Sequence, residues 1–195
     1  MVESGKAQME SFRIDNNGIQ KKSRTKFIAG VGKSLRSAKN LTSKTVQTQF
    51  VAYPELAQLL PIFPAERLKK LILNGLDGQE YKQLIDLDQW KQARIFHGYA
   101  ENLIIPIEKF FHFERFDVHL ARFTEADALR LRAMIDRSAH FGFAGICCNY
   151  MNNSALKRIF NVEHENFYQT PDERSFDVQC RPGEISITKF GYTVE

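Results

Sequence analysis

The chain has 195 residues, with 27 Lys or Arg against 23 Asp or Glu and a formal net charge of +4. Its length and its 43% apolar residues are those of one globular domain of ordinary size. Three cysteines, two of them adjacent at Cys147 and Cys148, exclude a disulfide scaffold and favour a reducing compartment. The first residues lack the apolar core of a signal peptide, so we expect a soluble protein made in the cytoplasm.

Residues 1–50 differ in charge from the rest of the chain. They contain ten Lys or Arg and three Asp or Glu, a net charge of +7, so the remainder carries −3. Their apolar residues are sparse and aperiodic, and such a segment cannot offset its own ordering entropy. We therefore predict an extended basic arm held by a partner. The residues predicted to contact this partner, or a phosphate, are Lys21, Lys22, Arg24, Lys26, Lys33, Arg36, Lys39 and Lys44.

Residues 53–110 carry helical signals. Pro54 occupies a favourable first helical position, and Gly75 has the place of a residue that follows a helix end. His97 falls on the apolar face of the longest predicted helix, which Pro106 ends or kinks. The helices predicted in this stretch cover residues 54–60, 65–74, 79–87 and 88–105.

Residues 115–150 predict a strand, a helix and a second strand. Apolar residues alternate from Phe116 to Phe123, as in a half-buried strand. Thr124 and Asp127 have the spacing of a capping box at the start of a helix. The uncharged run from Phe141 to Cys148 then fits a strand buried on both faces.

The last part of the chain predicts a short helix and a hairpin. Asn153 or Ser154 can cap a helix over residues 155–161. Two alternating segments separated by turn-forming residues then predict a C-terminal hairpin over residues 174–195.

Together these elements predict an α+β fold. A helical N-terminal half packs on a small, mainly antiparallel sheet, and an extended basic arm precedes it. The predicted domains are the arm, residues 1–50, and a single α+β domain, residues 51–195.

One short motif has a family resemblance. Phe96, His97, Gly98 and Tyr99, followed by Glu101, resemble the His-Gly opening of ADP-ribosyltransferases of the diphtheria-toxin and poly(ADP-ribose) polymerase class. The resemblance implies that His97 holds the nicotinamide ribose and that a later Tyr stacks on the nicotinamide. It also implies a Glu near the end of the chain that acts on the ribose, for which Glu184 and Glu195 are the candidates.

The function predicted from these features is non-enzymatic. We predict a structural or interaction subunit of a larger assembly, such as a virion, a phage tail or a secretion apparatus, anchored to other protein subunits through its arm. No cofactor is expected, and the scattered histidines lack the spacing of a metal site. Two alternatives remain open: a small ADP-ribosyltransferase-like effector that uses His97, and a nucleic-acid-associated protein whose arm binds phosphates with a strong salt dependence.

Overall fold

The computed structural model describes residues 8–18, 21–38, 41–75 and 81–193. The chain forms two compact units, Met1–His97 and Gly98–Glu195, and strand β4 (Ile95–Leu103) passes from the first to the second. The other α-helices and β-strands described in the first unit are β1 (Gln8–Asp15), α1 (Lys21–Ser37), β2 (Thr42–Gln49), α2 (Tyr53–Leu59), β3 (Lys70–Asn74), α3 (Lys82–Ile85) and α4 (Asp88–Gln92). Those of the second are β5 (Arg115–Leu120), α5 (Glu125–Arg137), β6 (Phe143–Cys148), α6 (Asn153–Phe160), β7 (Phe167–Gln169), β8 (Ser175–Arg181) and β9 (Glu184–Lys189).

In the first unit, β1, β2, β3 and the start of β4 pair in chain order, and every pair is parallel. Parallel neighbours need crossover connections, which here contain the helices. Alternate residues of the strands are buried: Ile14, Val46, Leu71, Leu73 and Phe96. The first unit is therefore a parallel α/β sheet.

This architecture contradicts the predicted fold class. The described residues of the predicted extended arm form β1, α1 and β2, and the chain is rich in strands where a helical half was expected. Some apolar residues of this segment nevertheless form a buried face, as Ile28 on α1 and Val46 on β2 show. Tertiary packing of such a face, rather than apolar content, stabilises a helix of this length.

Two of the predicted helices are wrong over much of their length. Residues 70–74, assigned to a helix, form β3, and only the first five residues of the helix predicted over 88–105 are helical, because β4 follows. A short apolar run such as that around Leu71 fits both a helix and a strand period. The predictions over 54–60 and 79–87 are correct in type, since α2 and α3 lie there.

In the second unit, β5 and β6 are parallel, and β6, β9, β8 and β7 pair in that order as antiparallel neighbours. The predicted strand–helix–strand and the C-terminal hairpin are confirmed. The capping box is also confirmed: Thr124 Oγ1 accepts the backbone N–H of Asp127 at 3.2 Å, and Asp127 Oδ2 accepts the backbone N–H of Thr124 at 2.8 Å. The short helix α6 begins slightly earlier than predicted and is capped by Asn152, whose Oδ1 accepts the N–H of Ala155.

Aromatic side chains form the core of the second unit. Ring centroids lie 5.7 Å apart for Phe110 and Phe116, 6.4 Å for Phe116 and Phe141, and 5.8 Å for Phe141 and Phe176. All four side chains are fully buried. The phenylalanines between residues 110 and 116 are therefore mainly core residues.

Polar side chains fasten α5 to its neighbours. Arg132 donates to the Tyr168 hydroxyl at 3.1 Å and to the carbonyl of Ile159, and Tyr168 donates to Asp136. Arg174 adds a hydrogen bond of 2.9 Å to the Asp136 carbonyl. These bonds connect α5 with α6, with β7 and with the residue that precedes β8. Within the described part of the chain, no helix is long and apolar enough to cross a membrane.

Candidate functional site

The sheet of the second unit has one covered face and one open face. Burial alternates along β5, β8 and β9, so that every second side chain is buried while its neighbours are partly exposed. Helix α6 lies on the covered side. Burial raises the pKa of Cys180 there, and the nearby positive charge of Lys157 on α6 opposes that rise. We call the opposite side the open face. Its defining residues are Tyr99, Arg115, Asp117, Phe143, Cys147, Phe167, Asp177, Glu184 and Phe190.

At the centre of the open face, Gly145 leaves room for the side chains of Asp117 and Phe143 to lie over strand β6. A Cβ atom on Gly145 would lie 2.9 Å from Asp117 Oδ1 and 3.2 Å from a ring carbon of Phe143. The Tyr99 hydroxyl donates a hydrogen bond of 2.6 Å to Asp117 Oδ2. The guanidinium carbon of Arg115 lies 4.6 Å from the Phe143 ring centroid, which is a cation–π contact. The polar groups here are thus held in place by contacts within the chain.

Burial and neighbouring charges raise the pKa values of two groups on the open face, Tyr99 and Cys147. Burial, together with the hydrogen bond to Asp117 and its charge, raises the pKa of Tyr99 well above its ordinary value, so the hydroxyl stays a donor. Burial and the negative charges of Glu184 and Asp117 raise the pKa of Cys147. A thiol with a raised pKa is a poor nucleophile, since the thiolate is the reactive form.

Three exposed aromatic side chains belong to this face. Phe167 and Phe190 are 43% and 59% exposed, and their ring centroids lie 5.8 Å apart. Tyr99 is 49% exposed. Aromatic residues are enriched in protein–protein interfaces and among the residues that contribute most to binding.

Apart from Lys39, which lies outside the described residues, the residues predicted to contact a partner belong to α1 and β2 of the first unit. Three of them have partners within the chain. Arg24 Nε lies 3.7 Å from Glu55 Oε2. Arg36 donates to the carbonyl of Gln58 at 3.2 Å, and Lys44 pairs with Glu10 at 2.9 Å.

The other five residues predicted to contact a partner are Lys21, Lys22, Lys26, Lys33 and Lys39. Lys26 and Lys33 are exposed on α1. Lys39 and the side chains of Lys21 and Lys22 lie outside the described part of the structure.

The residues of the ADP-ribosyltransferase resemblance lie on strands. His97 is in β4, where it pairs with Ile72 of β3, and not in the predicted helix. Glu184 begins β9, and Glu195 lies outside the described residues.

The open face itself was not found from the sequence. Alternation along β5 and β8 indicated which side chains share a face, but no signal showed that Tyr99 reaches Asp117. That contact depends on strand pairing, which was not predicted because residues 95–103 were assigned to a helix.

The second unit thus combines parallel and antiparallel strands with helices on one side of the sheet, and it leaves an aromatic open face on the other side. The FTH domain model matches residues 25–163, and the chain therefore belongs to the FTH domain family. The chain is also 24% identical over 202 aligned residues to F-box A protein 224 of Caenorhabditis elegans. That alignment covers 96% of this chain and 52% of the relative, so the chain spans about half the length of that protein. No solved structure matches significantly.

The family contradicts the predicted function. A subunit of a virion, phage tail or secretion apparatus is not supported by an FTH domain or by similarity to an F-box A protein. That prediction depended on an arm that was expected not to fold with its own chain. Strand β2 shows the opposite, because Val46 and Thr48 are completely buried there.

Proposed function

We propose that this chain is an F-box-associated protein-interaction domain, and that its open face recognises the protein partner or substrate. FTH membership and the similarity to a C. elegans F-box A protein support the general role. The observation that carries the choice of surface is the combination of Tyr99, Phe167 and Phe190, all exposed, with the fixed Tyr99–Asp117 hydrogen bond.

The size of the open face suits the centre of an interface. Five strands spaced about 4.8 Å apart, with six residues rising about 3.3 Å each, give roughly 20 Å by 20 Å. This is about half of the ~800 Å² that each partner of a standard interface buries. Loops next to the sheet would supply the rest, and Tyr150, which is 85% exposed and lies two residues after the end of β6, is one candidate.

The pre-ordered polar groups support specific rather than general adhesion. Arg115 is held over Phe143, and Asp117 is held by Tyr99, so a partner does not need to order them on binding. Preorganisation of this kind lowers the entropic cost of association. Within the described residues, no group of three or more His, Cys, Asp or Glu side chains is placed to hold a metal ion.

Affinity purification with quantitative mass spectrometry tests the proposal. The bait is the full chain, as wild type, as the Phe167→Asp/Phe190→Asp variant, and as Leu129→Asp. Leu129 is 55% exposed on α5 and away from the open face, so its variant is the matched control. We expect the captured partner to be lost by the double variant and retained by Leu129→Asp. Equal capture by wild type and the double variant would exclude the open face.

A further inference from the structure

Helix α1 is fastened to the first unit along one side only. Ile28 is buried, and Thr25 Oγ1 donates a hydrogen bond of 2.7 Å to Glu55 Oε1. Glu55 is itself buried, and its other oxygen accepts the backbone N–H of Ala52 at 3.0 Å. Arg24 and Arg36 also contact α2, where Arg24 lies near Glu55 and Arg36 donates to the carbonyl of Gln58. This side of the helix is therefore used by the fold itself.

The other side of α1 is basic and exposed. Lys26 and Lys33 are seven residues apart, which places them on one side of the helix about 10.5 Å apart along its axis. Neither forms an ion pair with any described residue, and the helix contains no acidic residue. Phe27 lies beside them and is 47% exposed.

Gly30 lies between the two lysines and is not required by the packing of its own unit. A Cβ atom added there would meet no described atom within 4 Å. Glycine in the middle of a helix is nonetheless unfavourable relative to alanine. What the missing side chain provides is a place where a second backbone can come close to the helix.

We propose that this side of α1, consisting of Lys26, Phe27, Gly30, Lys33 and Ser34, binds an acidic helical segment of a protein partner. The partner helix would cross α1 at Gly30, with one carboxylate near each lysine and an apolar side chain against Phe27. The two helices would then approach within the 8–10 Å typical of packed helices. The inference deepens the proposed function by adding a second surface and the chemistry of what it binds.

The same residues suit a protein better than a nucleic acid. Phosphates are contacted by long cationic side chains that extend away from the backbone, and such contacts do not need a glycine at the closest point. A helix that packs against α1 does need that space. The exposed Phe27 also provides apolar contact next to the charges, which fits an amphipathic acidic helix.

Fluorescence anisotropy with synthetic probes tests the inference on the full chain. The acidic probe is a labelled helical peptide of Ala, Leu and Glu with glutamates seven residues apart, and the matched probe has Gln in place of Glu. A labelled duplex RNA of about 16 base pairs, the span of one double-stranded RNA module, is the third probe. The variants are Lys26→Glu/Lys33→Glu, Gly30→Leu, and Phe190→Asp on the open face.

We expect the acidic peptide to bind, and the Gln peptide to bind about tenfold more weakly. The double charge reversal and Gly30→Leu should each weaken binding of the acidic peptide about tenfold or more. Leucine is the better helix former, so Gly30→Leu should not lower the unfolding temperature, which separates lost docking from lost folding. Phe190→Asp should leave peptide binding unchanged.

Three results would each overturn the inference: no binding of the acidic peptide, unchanged binding by Gly30→Leu, or tighter binding of the RNA than of the peptide. Failure of the open-face proposal is recognised separately. It would appear as partner capture that is insensitive to the Phe167 and Phe190 substitutions, whatever the α1 probes do.

Discussion

Replacing Gly145 with alanine tests the arrangement at the centre of the open face. The added Cβ would lie 2.9 Å from Asp117 Oδ1, so the carboxylate must move by about 0.5 Å to reach ordinary van der Waals contact. This movement weakens the 2.6 Å hydrogen bond from Tyr99. Hydrogen bonds to charged groups contribute about 1.5–3 kcal/mol, and the lower value applies here because Tyr99 is half exposed.

The opposing effect is smaller. Gly→Ala stabilises by about 0.4–1 kcal/mol through the unfolded chain where the backbone permits it. We therefore expect Gly145→Ala to lower the free energy of unfolding by about 1 kcal/mol, measured by urea denaturation followed by circular dichroism.

A double-mutant cycle makes this reasoning refutable. In an Asp117→Ala background the clash with the carboxylate and the hydrogen bond are both absent, so Gly145→Ala should cost about 1.5 kcal/mol less than in the wild type. Equal costs in the two backgrounds would show that Gly145 does not act through Asp117. The reasoning about the fixed carboxylate would then be wrong.

Three further predictions concern the second unit. Phe116→Ala should destabilise by about 3–5 kcal/mol in urea denaturation, because the side chain is fully buried among aromatic rings, whereas the exposed Phe190→Ala should cost under about 0.5 kcal/mol. Thr124→Ala removes the cap of α5 and should cost about 1 kcal/mol by the same assay; an unchanged midpoint would contradict the capping role. Hydrogen bonds from Arg174 and Thr170 lower the pKa of Asp172 from 3.8 to about 2. The stability that Asp172 contributes is therefore complete above pH 3.8 and lost as the pH falls through 2, so the stability difference between wild type and Asp172→Asn should shrink between pH 4 and pH 2. A difference that stays constant over this range would contradict the assigned ion pair.

The sequence predicted best where local signals agree with tertiary packing. Thr124 and Asp127 specify the start of α5 through their own side chains, and the alternation from Phe116 is long enough to indicate a strand. These features need no knowledge of distant residues. The same is true of the C-terminal hairpin, whose turn residues lie between two alternating segments.

Prediction failed where a short segment fits two periods. Leu71, Ile72 and Leu73 are compatible with a buried helix stripe and with a strand, and the neighbouring strands decide between them. The basic N-terminal segment was misjudged because its charge concealed how few apolar residues suffice when they share a face. Ile28 and Val46 are buried although most residues around them are polar.

The open face was beyond sequence reasoning for a different reason. Tyr99, Asp117 and Gly145 lie far apart in the chain and meet only through strand pairing. The register that places Asp117 opposite Gly145 also makes the glycine necessary. Considered singly, each of these residues is explained by an ordinary structural role, so the sequence alone does not group them into one site.

Alkylation of the native cysteines tests most directly whether the open face binds the partner. Cys147 lies on the open face between Asp117 and Glu184, whereas Cys180 lies on the covered side near Lys157 and serves as an internal control. The measurement is the rate of iodoacetamide labelling of each thiol, by mass spectrometry at pH 8.5, with and without the partner identified by affinity purification. The account predicts that saturating partner slows labelling of Cys147 at least about tenfold and leaves Cys180 unchanged, as expected if the fully desolvated centre of an interface covers that thiol. An unchanged rate at Cys147 under saturating partner would contradict it.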